Sequence, residues 1–279
     1  MVLCLLGILV TAWSLGTSLM ASAQRNVGNP PSQPHCETVR FKGTSGNELV
    51  GWLSEVPNSH GSVLLLHAVR GDRRGMMDRA AFLNRAGYTT LAIDLQSHGE
   101  SIGRQITWGH RESRDPIAAV AWLRQLHPTD RVAVIGTSLG GASALLAGSE
   151  LKADAMVVEA VFSDLRTAIW NRLEMRLGKV PACVLAPLLS LQVPLRQGID
   201  IDDISPLNAA DDMTCPIMVI YGEKDAHARI DEGRRIFEAC PHAGRVWWMV
   251  PGAGHVDLHH EAGPEYERRV LGFLNSVFD

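Results

Sequence analysis

The chain has 279 residues, of which 46% are hydrophobic and 20% are charged, and this composition is ordinary for a globular protein of one large or two small domains. The net charge is −4 at pH 7, and no run rich in lysine and arginine stands out. Nothing therefore argues for a nucleic acid as a partner, and none is expected.

The N-terminal segment, residues 2–23, contains no charged side chain and ends in the small residues Ala21, Ser22 and Ala23. This pattern favours a secretory signal peptide that is cleaved after Ala23, which predicts an exported enzyme, secreted or periplasmic. The uncharged run is also long enough to span a bilayer, so a retained membrane anchor is the alternative. A buried N-terminal helix is less favoured because nothing polar marks an outer face.

Residues 24–35 are polar and rich in proline, which predicts a linker before a folded domain that spans residues 36–279. No catalytic candidate lies in residues 2–23. We therefore expect a chain that begins at Gln24 to be soluble and active.

Short apolar runs then alternate with helical patterns. The predicted strands are 37–41, 49–55, 62–67, 88–93, 131–135, 155–160, 216–221 and 245–250. The predicted helices are 74–86, 113–126, 139–148, 230–239 and 264–277. This alternation predicts an α/β fold with a mostly parallel eight-stranded sheet and helices on both faces. The first two strands have no helix between them, so we expect an antiparallel hairpin at one edge.

The strongest chemical signal lies at residues 136–140, where the sequence Gly-Thr-Ser-Leu-Gly follows a hydrophobic strand and opens a helix of small residues. A sharp turn of this kind exposes a serine oxygen, and the glycines leave room for the crossing chain. The helix start aims backbone N–H groups at a developing oxyanion. Ser138 is therefore the predicted nucleophile.

The segment 163–211 carries two helical patterns, at 165–177 and 183–191, and no strand pattern. It is too long for an ordinary connection. We predict a helical cap over the carboxyl edge of the sheet, where open α/β sheets bind ligands.

Serine needs a base, and the base needs a carboxylate to orient it. His255 follows the last predicted strand, and Asp225 follows the strand before it, so both are expected at the same edge as Ser138. Glu159 and Asp164 are alternative acids because they follow the strand after Ser138. Asp257 is less suitable because it is only two residues from His255.

The cysteines left after cleavage are Cys36, Cys183, Cys215 and Cys240. An even number in an exported chain permits disulfides, although buried free thiols are an equal alternative. Cys215 precedes a predicted strand, and Cys240 ends the following helix. Both should lie at the amino edge of the sheet, so a bond between them is a hypothesis that the structure can test.

Five motifs in the expected order make the chain resemble the α/β-hydrolase superfamily over residues 37–279. They are His67-Ala-Val-Arg-Gly71, Asp94-Leu-Gln-Ser-His-Gly-Glu-Ser101, Gly136-Thr-Ser-Leu-Gly140, Gly222-Glu-Lys-Asp225 and Gly252-Ala-Gly-His255. The resemblance is to the branch with an N-terminal export or anchor segment and a small helical cap, whose members are esterases or serine-aminopeptidase-like hydrolases. It implies that the backbone N–H groups of Leu139 and Val69 form the oxyanion hole. Ala68 stands where the family usually has glycine.

These observations predict acyl transfer to Ser138, followed by hydrolysis with water that His255 activates. A small-molecule ester is the favoured substrate, and amide or peptide hydrolysis and acyl transfer are the alternatives. No cofactor or metal is expected, because the histidines between His255 and His260 do not have metallo-hydrolase spacing. A metal-dependent hydrolase and a non-catalytic binding protein on the same fold are the other classes to test.

Overall fold

The computed structural model of the protein describes residues 2–278, with side chains from residue 6 onward. The strands are β1 (Ala23–Gln24), β2 (Glu37–Lys42), β3 (Glu48–Ser54), β4 (Ser62–Leu66), β5 (Thr89–Ile93), β6 (His98–Gly99), β7 (Val132–Thr137), β8 (Ala155–Glu159), β9 (Ile217–Gly222) and β10 (Val246–Val250). The helices are α1 (Val2–Met20), α2 (Met77–Arg85), α3 (Arg114–Leu126), α4 (Leu139–Leu146), α5 (Leu165–Leu177), α6 (Lys179–Ser190), α7 (Gln192–Gln197), α8 (Pro206–Ala209), α9 (Ile230–Ala239), α10 (Leu258–Ala262) and α11 (Pro264–Phe278). Short 3-10 turns occur at Arg73–Met76, Gly148–Leu151, Ile201–Asp203 and Ala210–Asp212.

One eight-stranded sheet has the order β10-β9-β8-β7-β4-β5-β3-β2. β3 runs antiparallel to both β2 and β5, and the other neighbours are parallel. The predicted fold class is confirmed, including the antiparallel hairpin at one edge. β1 and β6 form a separate two-stranded parallel ladder, which the sequence did not predict.

The sheet is apolar on both faces. In β4, Val63 and Leu65 belong to one buried cluster, whereas Leu64 and Leu66 belong to the other. Successive side chains of a strand point to opposite faces, so a strand that is covered on both sides needs a continuous apolar run. This is why the centre of the sheet is visible in the sequence as unbroken Val, Leu and Ile.

Residues 163–211 lie between β8 and β9 and contain α5, α6, α7 and α8, with no strand in this described stretch. Leu173 of α5 packs with Ala182 and Leu189 of α6, and these side chains contact Leu15 and Leu19 of α1. The cap therefore has a small apolar core of its own, to which the N-terminal helix contributes.

Helix α1 lies against the cap. The side-chain amide of Gln192 donates to the carbonyl of Ala12 (2.9 Å), and the guanidinium of Arg196 lies 4.6 Å from the centre of the Trp13 ring. At the end of the helix, the N–H of Ile106 donates to the carbonyl of Met20 (3.0 Å). Val10, on the face of α1 that does not contact the cap, is exposed.

None of the helices in the described range combines the length and the apolar character that crossing a membrane requires. Cleavage after Ala23 and retention of the segment both stay predictions.

The segment that follows α1 also contacts the domain. Ala23 and Gln24 pair with His98 and Gly99, and the N–H of Arg25 donates to the carbonyl of Gly99 (2.7 Å). Val27 is buried beside Cys36. The stretch predicted as a linker, residues 24–35, therefore begins on the surface of the folded domain.

The disulfide hypothesis is wrong, because Cys215 and Cys240 are free thiols, as are Cys36 and Cys183. Cys215 and Cys240 are both buried in the same apolar core, and burial raises the pKa of each thiol to about 11. The thiol of Cys240 donates to the carbonyl of Ile236, one turn earlier in α9 (3.2 Å). Each sulfur is therefore part of the apolar packing.

Candidate active site

Ser138 occupies the sharp turn between β7 and α4. Its backbone has φ 49° and ψ −109°, an unusual conformation for a residue with a side chain. A Cβ on Gly136 would lie 2.5 Å from the N atom of Gly141, and one on Gly140 would lie 2.4 Å from the carbonyl oxygen of Leu66. Only glycine fits at these two positions. The N–H of Ser138 donates to the carbonyl of Glu159 on the neighbouring strand (2.7 Å), which fixes the turn to the sheet.

Asp225 and His255 meet at the same edge of the sheet, on the loops after β9 and β10. The Nδ1 atom of His255 lies 2.7 Å from Oδ2 of Asp225. The other carboxylate oxygen accepts the N–H groups of His227 (2.8 Å) and Ala228 (2.9 Å). With the acid held in this way, Nδ1 of His255 carries the proton and Nε2 is left as the basic atom.

Ser138 stands between two cavities. One is lined by Ser138, His255, His67 and Asp257, so the predicted nucleophile and the predicted base share it. The other, of about 510 Å³, is lined by Ser138 and Leu139 together with Val69 and side chains of the cap. Ser138 therefore borders both a largely apolar chamber and the cavity that it shares with His255.

The two predicted oxyanion donors, Leu139 and Val69, both line the chamber beside Ser138. Leu139 is the first residue of α4, and the first N–H groups of a helix have no partner within it. Val69 lies in a tight turn closed by the N–H of Gly71, which donates to the carbonyl of Ala68 (2.9 Å). Ala68 does not adopt a positive φ, so alanine is accommodated where the family usually has glycine.

A buried histidine holds this turn. The N–H of Leu95 donates to Nε2 of His67 (3.1 Å), and Nδ1 of His67 then donates to the carbonyl of Ala68 (2.8 Å). Burial lowers the pKa of His67 to about 4, so the ring is neutral at pH 7. The ring of His98 packs against it at 5.1 Å, and burial lowers the pKa of His98 to about 4 as well.

The alternative acids have other partners. Glu159 is buried and forms an ion pair with Arg79 (2.6 Å), and it also accepts the hydroxyl of Tyr266 (2.5 Å). Asp164 caps α5 by accepting the N–H of Thr167 (2.8 Å).

Asp257 binds Arg79 (2.8 Å) and caps α10. Of the four carboxylates considered, Asp225 is the one that the structure brings into hydrogen-bonding contact with His255.

Two side chains near His255 and Ser138 were not predicted from the sequence. The ring of His227 meets that of His255 edge-on, with centroids 4.7 Å apart, and burial lowers its pKa. Its position two residues after Asp225 was the available signal. Arg172 of α5 lines the apolar chamber, and nothing in the sequence marked it among the charged residues of a helix.

Asp225, His227 and His255 also form the candidate cation site in the described part of the chain. Each offers one ligand atom, and these atoms lie within 4.8 Å of one another. The pair of Asp225 and His255 is already joined by a hydrogen bond. A metal ion bound here would compete with that bond, and the sequence expectation of no metal stays a prediction.

A mostly parallel sheet with serine at a strand-to-helix elbow, and with aspartate and histidine on loops at the same edge, is the arrangement of the α/β hydrolases. The family model described as serine aminopeptidase, S33, matches residues 57–206. The chain therefore belongs to this family of hydrolases.

Solved structures share this fold, and a curated protein is similar in sequence. The esterase Pf2001 of Pyrococcus furiosus is 25% identical and superposes with a TM-score of 0.77, covering 93% of this chain and 99% of that one. XC6422 of Xanthomonas campestris, described as a serine hydrolase without a lid, is 17% identical with a TM-score of 0.56, over 87% and 98% of the two chains. The uncharacterized protein YqkD of Bacillus subtilis is 22% identical over 240 residues, which are 84% of this chain and 77% of that protein.

Proposed function

We propose that the protein is a serine hydrolase that cleaves carboxylic esters of small molecules through an acyl-enzyme on Ser138. The observation that carries the proposal is the 2.7 Å contact between His255 and Asp225, with Ser138 in the same cavity as the histidine. The similarity to the Pyrococcus furiosus esterase supports the choice of an ester.

The reaction would follow from the positions of these groups. Oγ of Ser138 attacks the acyl carbonyl while Nε2 of His255 accepts the hydroxyl proton, and Asp225 stabilises the imidazolium that forms. The N–H groups of Leu139 and Val69 donate to the oxyanion. His255 then passes the proton to the leaving alkoxide. In the second half, His255 accepts a proton from the water that attacks the acyl-enzyme and returns it to Oγ of Ser138 as the carboxylic acid departs.

Amide or peptide cleavage is the second candidate, because the matching family is described as serine aminopeptidases. The same groups would serve, with His255 protonating a leaving amine in place of an alkoxide. A panel of p-nitrophenyl esters with acyl chains of two to twelve carbons, beside aminoacyl p-nitroanilides, separates the two. We expect the esters to be turned over faster.

The role of Ser138 as nucleophile is tested by covalent labelling and by substitution. A fluorophosphonate probe should label the wild type on Ser138 and should leave Ser138→Ala unlabelled. The variant should lose about 10⁶-fold in kcat, with roughly 10³-fold over water left from the oxyanion hole. A labelled peptide that contains another serine, or esterase activity in Ser138→Ala close to that of the wild type, contradicts the proposal.

A further inference from the structure

Two arginines of α5 line the apolar chamber that opens beside Ser138. They are Arg172, which is half-buried, and Arg176, which is exposed one turn later. Most of the other lining side chains are leucine, isoleucine, phenylalanine and alanine. Charged groups are rare in such a lining unless they serve to orient a ligand.

Neither guanidinium has a hydrogen-bond or ion-pair partner among the described residues. The other charged side chains of α5 are used. Arg166 pairs with Asp202 (2.7 Å), and Glu174 pairs with Arg229 (2.5 Å). The carboxylate of Glu174 is therefore already paired with Arg229, which lies outside the chamber, and it does not pair with Arg172 or Arg176.

The position of Arg172 is unfavourable for the protein alone. Burial lowers the pKa of Arg172, and the charge of Arg176 lowers it further, with only Asp225 acting in the opposite direction. Like charges one helical turn apart also destabilise a helix. An unpaired, partly desolvated cation is costly to keep, and an anionic ligand would remove the cost.

A third arginine of the chamber shows the contrast. The guanidinium of Arg70 donates to the carbonyls of Ser18 and Leu19 at the end of α1 (3.4 Å to Leu19). Arg70 therefore links α1 to the loop after β4. The N–H groups of Arg172 and Arg176, in contrast, are available to a molecule in the chamber.

We infer that the chamber takes a substrate with a short apolar chain that ends in an anionic group, and that Arg172 binds this anion while the ester carbonyl lies at Ser138. A guanidinium presents paired N–H donors that match a carboxylate or a phosphonate. Arg176 stands nearer to solvent and attracts the same charge. The inference rests on the proposed ester hydrolysis and specifies its substrate class.

Matched esters test it. The p-nitrophenyl monoesters of hexanedioic and octanedioic acid carry a terminal carboxylate, and p-nitrophenyl hexanoate and octanoate have the same chain lengths without it. A p-nitrophenyl ester of 6-phosphonohexanoic acid distinguishes a phosphonate from a carboxylate. The readout is the ratio of kcat/KM for the charged ester to that for the neutral ester.

In Arg172→Gln this ratio should fall by about 10- to 100-fold, the loss expected for a charge-assisted hydrogen bond, and Arg172→Lys should recover part of it. Arg166→Gln is the matched control on the same helix, because its guanidinium pairs with Asp202 outside the chamber. It should leave the ratio unchanged. An unchanged ratio in Arg172→Gln overturns the inference.

A binding measurement keeps the inference separate from the proposed function. Calorimetry of Ser138→Ala with monomethyl hexanedioate, which has a free carboxylate, and with the neutral methyl hexanoate needs no turnover. Tighter binding of the charged ester that is lost in Ser138→Ala/Arg172→Gln supports the anion site even if no ester is cleaved. Equal binding of the two esters overturns the site even if neutral esters are cleaved.

Discussion

At the scale of single residues, the proposed chemistry depends on which carboxylate orients His255. Glu159, Asp164 and Asp257 are each committed to another role, in an ion pair or at a helix cap. Asp225 has one oxygen on His255 and the other on two backbone N–H groups. Such a carboxylate cannot rotate away without losing all of these bonds.

We therefore expect Asp225→Asn to lower kcat by about 10⁴-fold, because an amide in this position favours the wrong tautomer of the histidine. Steady-state kinetics with the best ester of the panel gives the value. Asp164→Asn is the matched control, since Asp164 caps α5 and should affect stability by only about 1 kcal/mol. Near-normal activity in Asp225→Asn, with a loss in Asp164→Asn, would move the acid to the earlier strand.

The sequence could indicate Ser138, Asp225 and His255 because each follows a buried strand in a recognisable motif, and the structure brings the last two together. The sequence could not show that Glu159 is not the acid. Glu159 is excluded by its buried ion pair with Arg79, a residue that is distant in sequence. Partners of this kind depend on tertiary packing, which local patterns do not contain.

At the scale of elements, the N-terminal helix has a position that its composition did not indicate. Its apolar, uncharged sequence predicts a signal peptide or an anchor, yet Leu15 and Leu19 line the chamber beside Ser138. A helix that is apolar on all sides has no periodic pattern to show which face packs against the protein and which face contacts a membrane or solvent. Most strands of the sheet were predictable because their apolar runs are bounded by turns.

This position changes the expectation for a chain that begins at Gln24. Without α1 the chamber loses one wall, and esters with short acyl chains should lose contact with it. In Leu15→Ala/Leu19→Ala we expect kcat/KM for short-chain esters to fall roughly tenfold, a loss equal to about two buried methylenes, with preference moving to longer chains. The ester panel measures both changes.

Val10→Ala is the control for this experiment, because Val10 is on the same helix and is 57% exposed. It should leave the chain-length profile unaltered. A chain that begins at Gln24 and keeps the profile of the full chain would show that α1 has no part in substrate binding.

At the scale of the whole molecule, the loop after β4 lies beside a cluster of buried polar side chains. Asp94 accepts the N–H groups of Arg73 (2.7 Å) and Glu100 (2.8 Å) and pairs with the Arg73 guanidinium. The rings of His67 and His98 pack against each other beside this group, with their planes tilted by 59°. The turn at Ala68, for which we propose a role in oxyanion binding, therefore lies beside buried residues that are neutral or paired in the folded protein.

The two histidines make stability depend on pH in a defined direction. Burial is the main cause that lowers the pKa of His67 and of His98 to about 4, against the raising effects of Asp72 on His67 and Asp94 on His98. In the unfolded chain each histidine has its ordinary pKa of about 6.5. Between these values the unfolded state binds more protons, so stability is full above about pH 6.5 and is lost as the pH falls toward 4.

The loss should reach on the order of 2–3 kcal/mol for each histidine at the acid end of this window. Urea unfolding at pH 7, 6.5, 6, 5.5 and 5 measures it where most carboxylates are still ionised. His98→Asn should flatten the dependence, whereas His35→Asn, at an exposed position, should keep it. A free energy of unfolding that stays constant from pH 7 to 5 in the wild type would mean that these rings are not neutral and buried beneath the oxyanion turn.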